Sequence, residues 1–339
     1  MFIGKNKVEY QSPIYQFQSV YDQKTTTYFP YASVIQKNNF YIKRDDLIPY
    51  CFGGNKARMV LRYFEDIDEI GSDAIVTYGS SDSNLCRIIA NMANTRGISC
   101  YIISPEETSH QAFNAQMSEM FGATVITCKV EEVHDTIERQ LKALQDKGFR
   151  PYFIGGGGHG VIGTDACVDC YEEILDYEKE RRLSFDYIFL ASGTGTTQSG
   201  LVAGKMIHHG KENIVGISVA RKNPHGIDIT CESVQGYYAY KEIRFDMESG
   251  ELSKKIRQNT VFLDEYTGEG YGKGSKEIED VVSFVMKNYG IPLDQTYTGK
   301  AFTGMLKYLN TNDIHDKNIL FLHTGGTPLY FDYLEKMRV

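Results

Sequence analysis

No stretch of this sequence is apolar for long enough to span a bilayer, so no membrane-crossing segment is expected. The opening residues, MFIGKNKVEYQ, lack the apolar core of a signal peptide, and a cytoplasmic protein is the expectation. Positive charge is short as well. Lys and Arg number 36 against 44 Asp and Glu, and the net charge of −8 argues against a broad nucleic-acid footprint. Cysteine is sparse and unpatterned: Cys51, Cys86, Cys100, Cys128, Cys167, Cys170 and Cys231 are an odd, scattered set, not a disulfide framework. Cys167 and Cys170 form one C-x-x-C, but a zinc site of that kind needs a second ligand pair and none stands at suitable spacing. Two reduced thiols and no metal are expected there. Tryptophan is absent, which says nothing about chemistry.

What is present is an ordinary globular composition, 42% apolar and 24% charged over 339 residues, enough for one large or two medium domains with real cores. Apolar, β-branched runs alternate with helical patterns. DAIVTYG (73–79), SCYIISP (99–105), TVITCKV (124–130) and PYFIGGGG (151–158) read as strands. Between them Leu85, Ile88, Ile89, Met92 and Ala93 share one helical face, Phe113, Met117, Met120 and Phe121 another, and Val133, Ile137, Leu141 and Leu144 a third. A second series follows: strands at 186–192, 213–220 and 318–326, helices near 197–209 and 275–288, and a stretch, 221–274, that resists assignment. The pattern predicts two open, mostly parallel α/β sheets with helices on both faces, meeting at a cleft beyond the carboxyl ends of their strands.

Glycine-rich loops at 155–158, 192–197 and 325–326 fall at such strand ends. The middle one, ASGTGTTQSGLVAGKM (191–206), is the most informative. Gly193 and Gly195 open backbone angles closed to other residues, and Thr194, Thr196 and Thr197 add hydroxyls just before a helix. Such a helix start is an anion cradle. It is not the dinucleotide pattern, because Gly200 comes two residues too late, and the Walker A spacing also fails. A compact site for one phosphate remains, against the plainer reading of a Ser/Thr-rich helix cap. Lys56 in CFGGNKARMV (51–60) opens another helix behind Gly53, Gly54 and Asn55. The positive end of the helix dipole and partial burial both favour its neutral amine, the form that attacks a carbonyl. A nucleophilic lysine, a monophosphate cradle and an α/β cleft are what pyridoxal 5′-phosphate requires.

These residues resemble a known family. IKRDDL…FGGNKARMV (42–60), Ser83-Asn84, SGTGTTQSGLVAG (192–204), YTGEGYG (266–272), LDQTYTGKAFTG (293–304) and LHTGGTP (322–328) are similar, in order, to the 1-aminocyclopropane-1-carboxylate deaminase/D-cysteine desulfhydrase family. These are pyridoxal-phosphate enzymes of the tryptophan synthase β-subunit fold (PLP fold type II). The resemblance implies a large cofactor-binding domain, 1–58 plus 165–339, and a small domain, 59–164, closing over the cleft. It implies that Lys56 carries the cofactor covalently and that Gly193, Thr194, Gly195, Thr196 and Thr197 hold its phosphate. Ser83 and Asn84 would lie at the substrate carboxylate and the cofactor's phenolic oxygen, Thr324 would face the pyridine nitrogen, and Tyr271 and Tyr297 would flank the substrate. Lys56, Tyr271, Tyr297 and Ser83 are thus the expected catalytic set.

Three departures bear on the substrate. Thr298 follows Tyr297 where deaminases of the family have Glu, which points away from ring opening and towards the desulfhydrase branch. Leu85 stands after Ser83-Asn84 where Gln or His is common, and GGGGHG (155–160) replaces a glycine-Ser-Asn stretch, leaving His159 as either a substrate contact or a loop residue. The expected activity is β-elimination on a small amino acid, giving a 2-oxo acid, ammonia and the leaving group. Ring opening, β-replacement or racemisation on the same scaffold are the alternatives, with an inert amino-acid-binding protein further off. A homodimer is also implied.

Overall fold

The computed structural model describes residues 11–17, 29–108, 112–248 and 250–336; residues 1–10 of the opening segment read above lie outside them. Ten strands are described: β1 (Ile14–Gln16), β2 (Asn39–Arg44), β3 (Ala74–Tyr78), β4 (Ser99–Pro105), β5 (Thr124–Cys128), β6 (Pro151–Ile154), β7 (Tyr187–Ser192), β8 (Asn213–Ser218), β9 (Val261–Leu263) and β10 (Asn318–His323). They form two sheets, one in the order β5-β4-β3-β6 and one in the order β1-β2-β10-β7-β8-β9. All pairings are parallel except β1 with β2. The fold is therefore the expected α/β pair of open sheets.

Both faces of each sheet are covered, which is why the strands are apolar runs rather than alternating ones. Along β7, Ile188 and Leu190 join one buried cluster with Leu201 and Val202, while Phe189 and Ala191 join the other with Phe302 and Met305. In the smaller sheet Ile75 packs on Phe64 and Ile88, from helices Asn55–Ile70 and Asn84–Arg96, and Ala74 and Val76 pack on Ile137 and Leu144 of helix Val133–Asp146. Among the described residues no helix is long and apolar enough to cross a membrane.

One helical stripe is corrected. Helix Phe113–Met120 does not bury Phe113, Met117, Met120 and Phe121 as a set; it buries Asn114 and Ser118, and Met120 is 73% exposed. On that inward face Asn114 donates to Asp82 O at 2.8 Å and to Asn84 Oδ1 at 3.0 Å. The unassigned stretch 221–274 holds helices His225–Tyr240 and Glu251–Asn259, then β9. The C-x-x-C lies on helix Val161–Arg181, with both thiols free and buried. Cys167 packs where Gly200 sits: a Cβ at Gly200 would fall 2.2 Å from the Cβ of Cys167, so this glycine serves the close crossing of two helices and not the phosphate loop.

The KRDD run (43–46) anchors the Lys56 helix. Lys43, buried, pairs with Glu173, and Arg58 donates to Asp45 at 2.8 Å and to Glu173 at 2.6 Å, tying β2, helix Asn55–Ile70 and helix Val161–Arg181 together. Ion pairs this buried are costly to make and costlier to break by removing one partner.

Candidate active site

The carboxyl ends of the parallel strands open on one cavity of about 870 Å³. Strand order reverses at β3 in the smaller sheet and between β10 and β7 in the larger, the place where open α/β sheets bind ligands. Lys56, Ser83, Asn84, Gly193, Thr194, Gly195, Thr196, Thr197, Tyr271, Tyr297 and Thr324, the whole expected set, line this cavity together.

Gly54 and the HTGG turn interlock. Gly54 has φ +100°, and a Cβ there would fall 2.7 Å from the carbonyl oxygen of Thr324, so only glycine permits the approach. The Asn55 N–H donates to that carbonyl at 3.1 Å, and the buried Asn55 side chain donates to Thr197 Oγ1 at 2.7 Å. Asn55 thus ties the lysine helix, the phosphate loop and Thr324 into one frame. His323 supports it from below: Nδ1 accepts from the Gly325 N–H at 3.2 Å and the other ring nitrogen reaches Pro292 O at 2.7 Å.

Lys56 is partly buried and donates from Nζ to Gly157 O at 2.7 Å. Burial lowers its pKa to about 8. Nearby Cys167 gives no counter-charge, because burial pushes that thiol up to about 12 and keeps it neutral. A substantial neutral amine near neutral pH is the property a carbonyl nucleophile needs.

The loop after β7 is built for an anion. Gly195 has φ +89°, no side chain caps helix Thr196–Ile207, and Thr194 and Thr196 hydroxyls lie 3.2 Å apart at its mouth. Uncapped helix N–H groups beside two hydroxyls are a phosphate cradle. Arg221, which the sequence did not single out, lines the cavity and donates to Gly193 O at 2.9 Å.

Across the cavity Ser83 caps helix Asn84–Arg96, its Oγ accepting from the Cys86 N–H at 3.2 Å. Asn84 Oδ1 takes donors from Arg87 at 2.7 Å and Asn114 at 3.0 Å, which leaves its NH₂ as the group free for a ligand. Tyr271 and Tyr297 touch hydroxyl to hydroxyl, rings crossing at 75°. Burial raises both phenols; the Tyr297 contact pulls Tyr271 partly back while Tyr271 pushes Tyr297 further up, so both are neutral at physiological pH.

The departures from the family pattern divide. Leu85 and His159 line the cavity; burial and then the Arg221 charge lower the His159 pKa, so its imidazole is neutral. Thr298 does not line it. Its hydroxyl donates to buried Asp294 at 2.7 Å and accepts from the Asp294 N–H at 2.9 Å, committed to the start of helix Thr298–Thr311.

A lysine amine, an uncapped phosphate loop and a neutral hydroxyl at the ends of three neighbouring strands define an α/β enzyme of PLP fold type II, and the residues fit pyridoxal 5′-phosphate. The chain belongs to the pyridoxal-phosphate dependent enzyme family, which it matches over residues 24–325. It is 30% identical to a D-cysteine desulfhydrase of Serratia proteamaculans over 304 residues, 86% of this chain and 88% of that one. It is 31% identical to a D-cysteine desulfhydrase of Yersinia enterocolitica over 308 residues, with the same coverage of 86% and 88%. Among solved structures it is similar to an ACC deaminase homologue, at 26% identity and a TM-score of 0.81, covering 98% of this chain and 94% of that one.

Proposed function

We propose that this protein is a lyase that removes the α-proton and a β-leaving group from a small amino acid, as a D-cysteine desulfhydrase does, releasing the leaving group and, after water hydrolyses the resulting enamine, a 2-oxo acid and ammonia. The observation that carries the reading is the convergence of Lys56, Ser83, Asn84, Tyr271 and Tyr297 on one cavity. The similarity to D-cysteine desulfhydrases supports the choice of substrate class.

Bound pyridoxal phosphate draws electrons from Cα of an attached amino acid and makes its proton acidic. The protein supplies the rest. Residues 193–197 would hold the cofactor's phosphate by backbone N–H groups and hydroxyls. Ser83 and the Asn84 NH₂ hold the carboxylate and so orient Cα–H. The Lys56 amine, neutral in part at working pH, accepts that proton. Thr324 would offer a bound cofactor a neutral hydroxyl and no carboxylate, a setting that would favour loss of a β-group over transamination. The Tyr271–Tyr297 pair passes a proton to the departing group. Thr298, locked onto Asp294, offers no acid for ring opening. In this reading segment 59–164 closes on 1–58 plus 165–339 in a cytoplasmic homodimer.

Product analysis tests it. The purified enzyme is expected to release sulfide and pyruvate from one enantiomer of cysteine, and chloride from β-chloroalanine of the same hand. 1-Aminocyclopropane-1-carboxylate should be left intact. Ammonia from the cyclopropane compound, or no product from any of these, would overturn the reading. Light scattering on the same sample is expected to give twice the 38.4 kDa chain mass.

A further inference from the structure

Arg87 has no solvent exposure, and among the described residues no carboxylate pairs with it. Its Nη1 donates to Asn84 Oδ1 at 2.7 Å and to Asn114 Oδ1, its Nη2 reaches Gly53 O at 3.5 Å, and its Nε has no partner. Burial lowers its pKa to about 10; the Cys51 thiol bonds to it but is itself raised by burial, so it adds no negative charge near neutral pH. Arg87 also sits in the first turn of helix Asn84–Arg96, at the positive end of the helix dipole. Burial and the helix dipole both disfavour this cation, and the neutral amide and carbonyl oxygens that accept from it offset only part of that cost in the absence of a counter-ion. The cost is met if an anion arrives on the other side of Asn84, where the cavity opens.

We infer that Arg87 is a positioning residue for the substrate's α-carboxylate, acting through Asn84. The inference rests on the proposed function above and adds to it a residue that does not line the cavity. Arg87 and Asn114 together saturate Asn84 Oδ1, so the amide cannot flip, and its NH₂ is held towards the ligand. Asn114 is itself held by donating to Asp82 O at 2.8 Å, on the face that helix Phe113–Met120 buries. The positive charge behind Asn84 polarises its N–H donors, and the arriving carboxylate completes the charge balance. The Gly53 and Cys51 contacts carry the same side chain to the turn before Lys56, so carboxylate seat and lysine turn share one support.

The test uses the cofactor-loaded protein, titrated with D- and L-alanine and with their amides, and followed by the absorbance of the bound cofactor. Wild type is expected to bind the acid of one hand more tightly than its amide. In Arg87→Met the affinity for the acid should fall roughly tenfold to a hundredfold, the worth of a charge-assisted bond, while the amide is little affected, so the discrimination collapses. Arg87→Lys should restore part of it. With a reactive substrate, KM should rise by more than kcat falls. If Arg87→Met lowers only the melting temperature and keeps the acid/amide ratio, Arg87 is packing and the inference is overturned. If that variant does not fold, Asn114→Leu keeps the charge and frees one lone pair of Asn84; a ratio unchanged from wild type there overturns it equally. If neither enantiomer of alanine perturbs the wild-type absorbance, the functional reading fails and takes this inference with it. Alanine binding without sulfide release from cysteine sinks the desulfhydrase reading alone.

Discussion

Lys56→Ala is expected to lose at least roughly a thousandfold in turnover, because one change would remove both the amine proposed to carry the cofactor and the proposed base at Cα. Borohydride, which should fix the cofactor to the wild-type chain as a mass increase on the peptide containing Lys56, should leave the variant unlabelled. A labelled, active Lys56→Ala protein would displace the lysine from its proposed role. The wild-type amine also sets a pH signature. Only its neutral form captures an aldehyde, and burial holds its pKa near 8. The rate at which cofactor-free protein takes up pyridoxal phosphate should therefore climb with pH and level off just above 8. A rate still climbing at pH 10 would show an ordinary solvated lysine.

Gly54→Ala carries the second large effect, on the frame and not on the chemistry. Gly54 combines φ +100° with ψ 171°, a region open essentially to glycine alone. Its added Cβ would meet the Thr324 carbonyl oxygen at 2.7 Å, and both partners are backbone. Strain and clash together should cost about 3 kcal/mol or more. The thermal midpoint should fall by several degrees, and cofactor should dissociate faster, since Lys56 and Thr324 are pushed apart. Gly97→Ala is the control. Gly97 also has positive φ, +68°, but nothing lies within 4 Å of its added Cβ, so about 1 kcal/mol is expected. Equal losses at the two positions would mean that the turn at Gly54 relaxes freely and that the interlock with Thr324 is unimportant.

Much of the scaffold was legible because its signals are local. β3, β4, β5 and β6 are short apolar runs, and the helices between them show stripes such as Val133, Ile137, Leu141 and Leu144. Lys56 and the loop 193–197 stood out because a glycine pair ahead of a helix-start lysine and a glycine-threonine loop ahead of a second helix occur together in one chain, although each alone is common turn punctuation. Other parts were hidden for physical reasons. Helix Val161–Arg181 buries Thr164, Asp165 and Cys167 as well as aliphatic residues, so it shows no clean apolar face. Helix Phe113–Met120 misled, because the residues it buries, Asn114 and Ser118, are polar, Asn114 being bonded to Asp82, Asn84 and Arg87. Gly200 looked like a failed phosphate motif and is a helix-crossing contact.

By itself the sequence determined most of the strands, that two mostly parallel sheets result, and which lysine and glycine-threonine loop are the candidates for the cofactor, since periodicity, turn chemistry and motif order are properties of neighbouring residues. Only the tertiary structure decided that Thr298 turns away from the cavity, that Asn55 joins three distant loops, and that Arg87 lies without a carboxylate behind Asn84. Asn55 meets a partner 142 positions away in Thr197 and Arg87 one 27 away in Asn114, while the Thr298–Asp294 contact is local but faces away from the cavity only once the sheets have assembled; a hydrogen-bond partner or an unpaired charge exists only once the chain has closed around it.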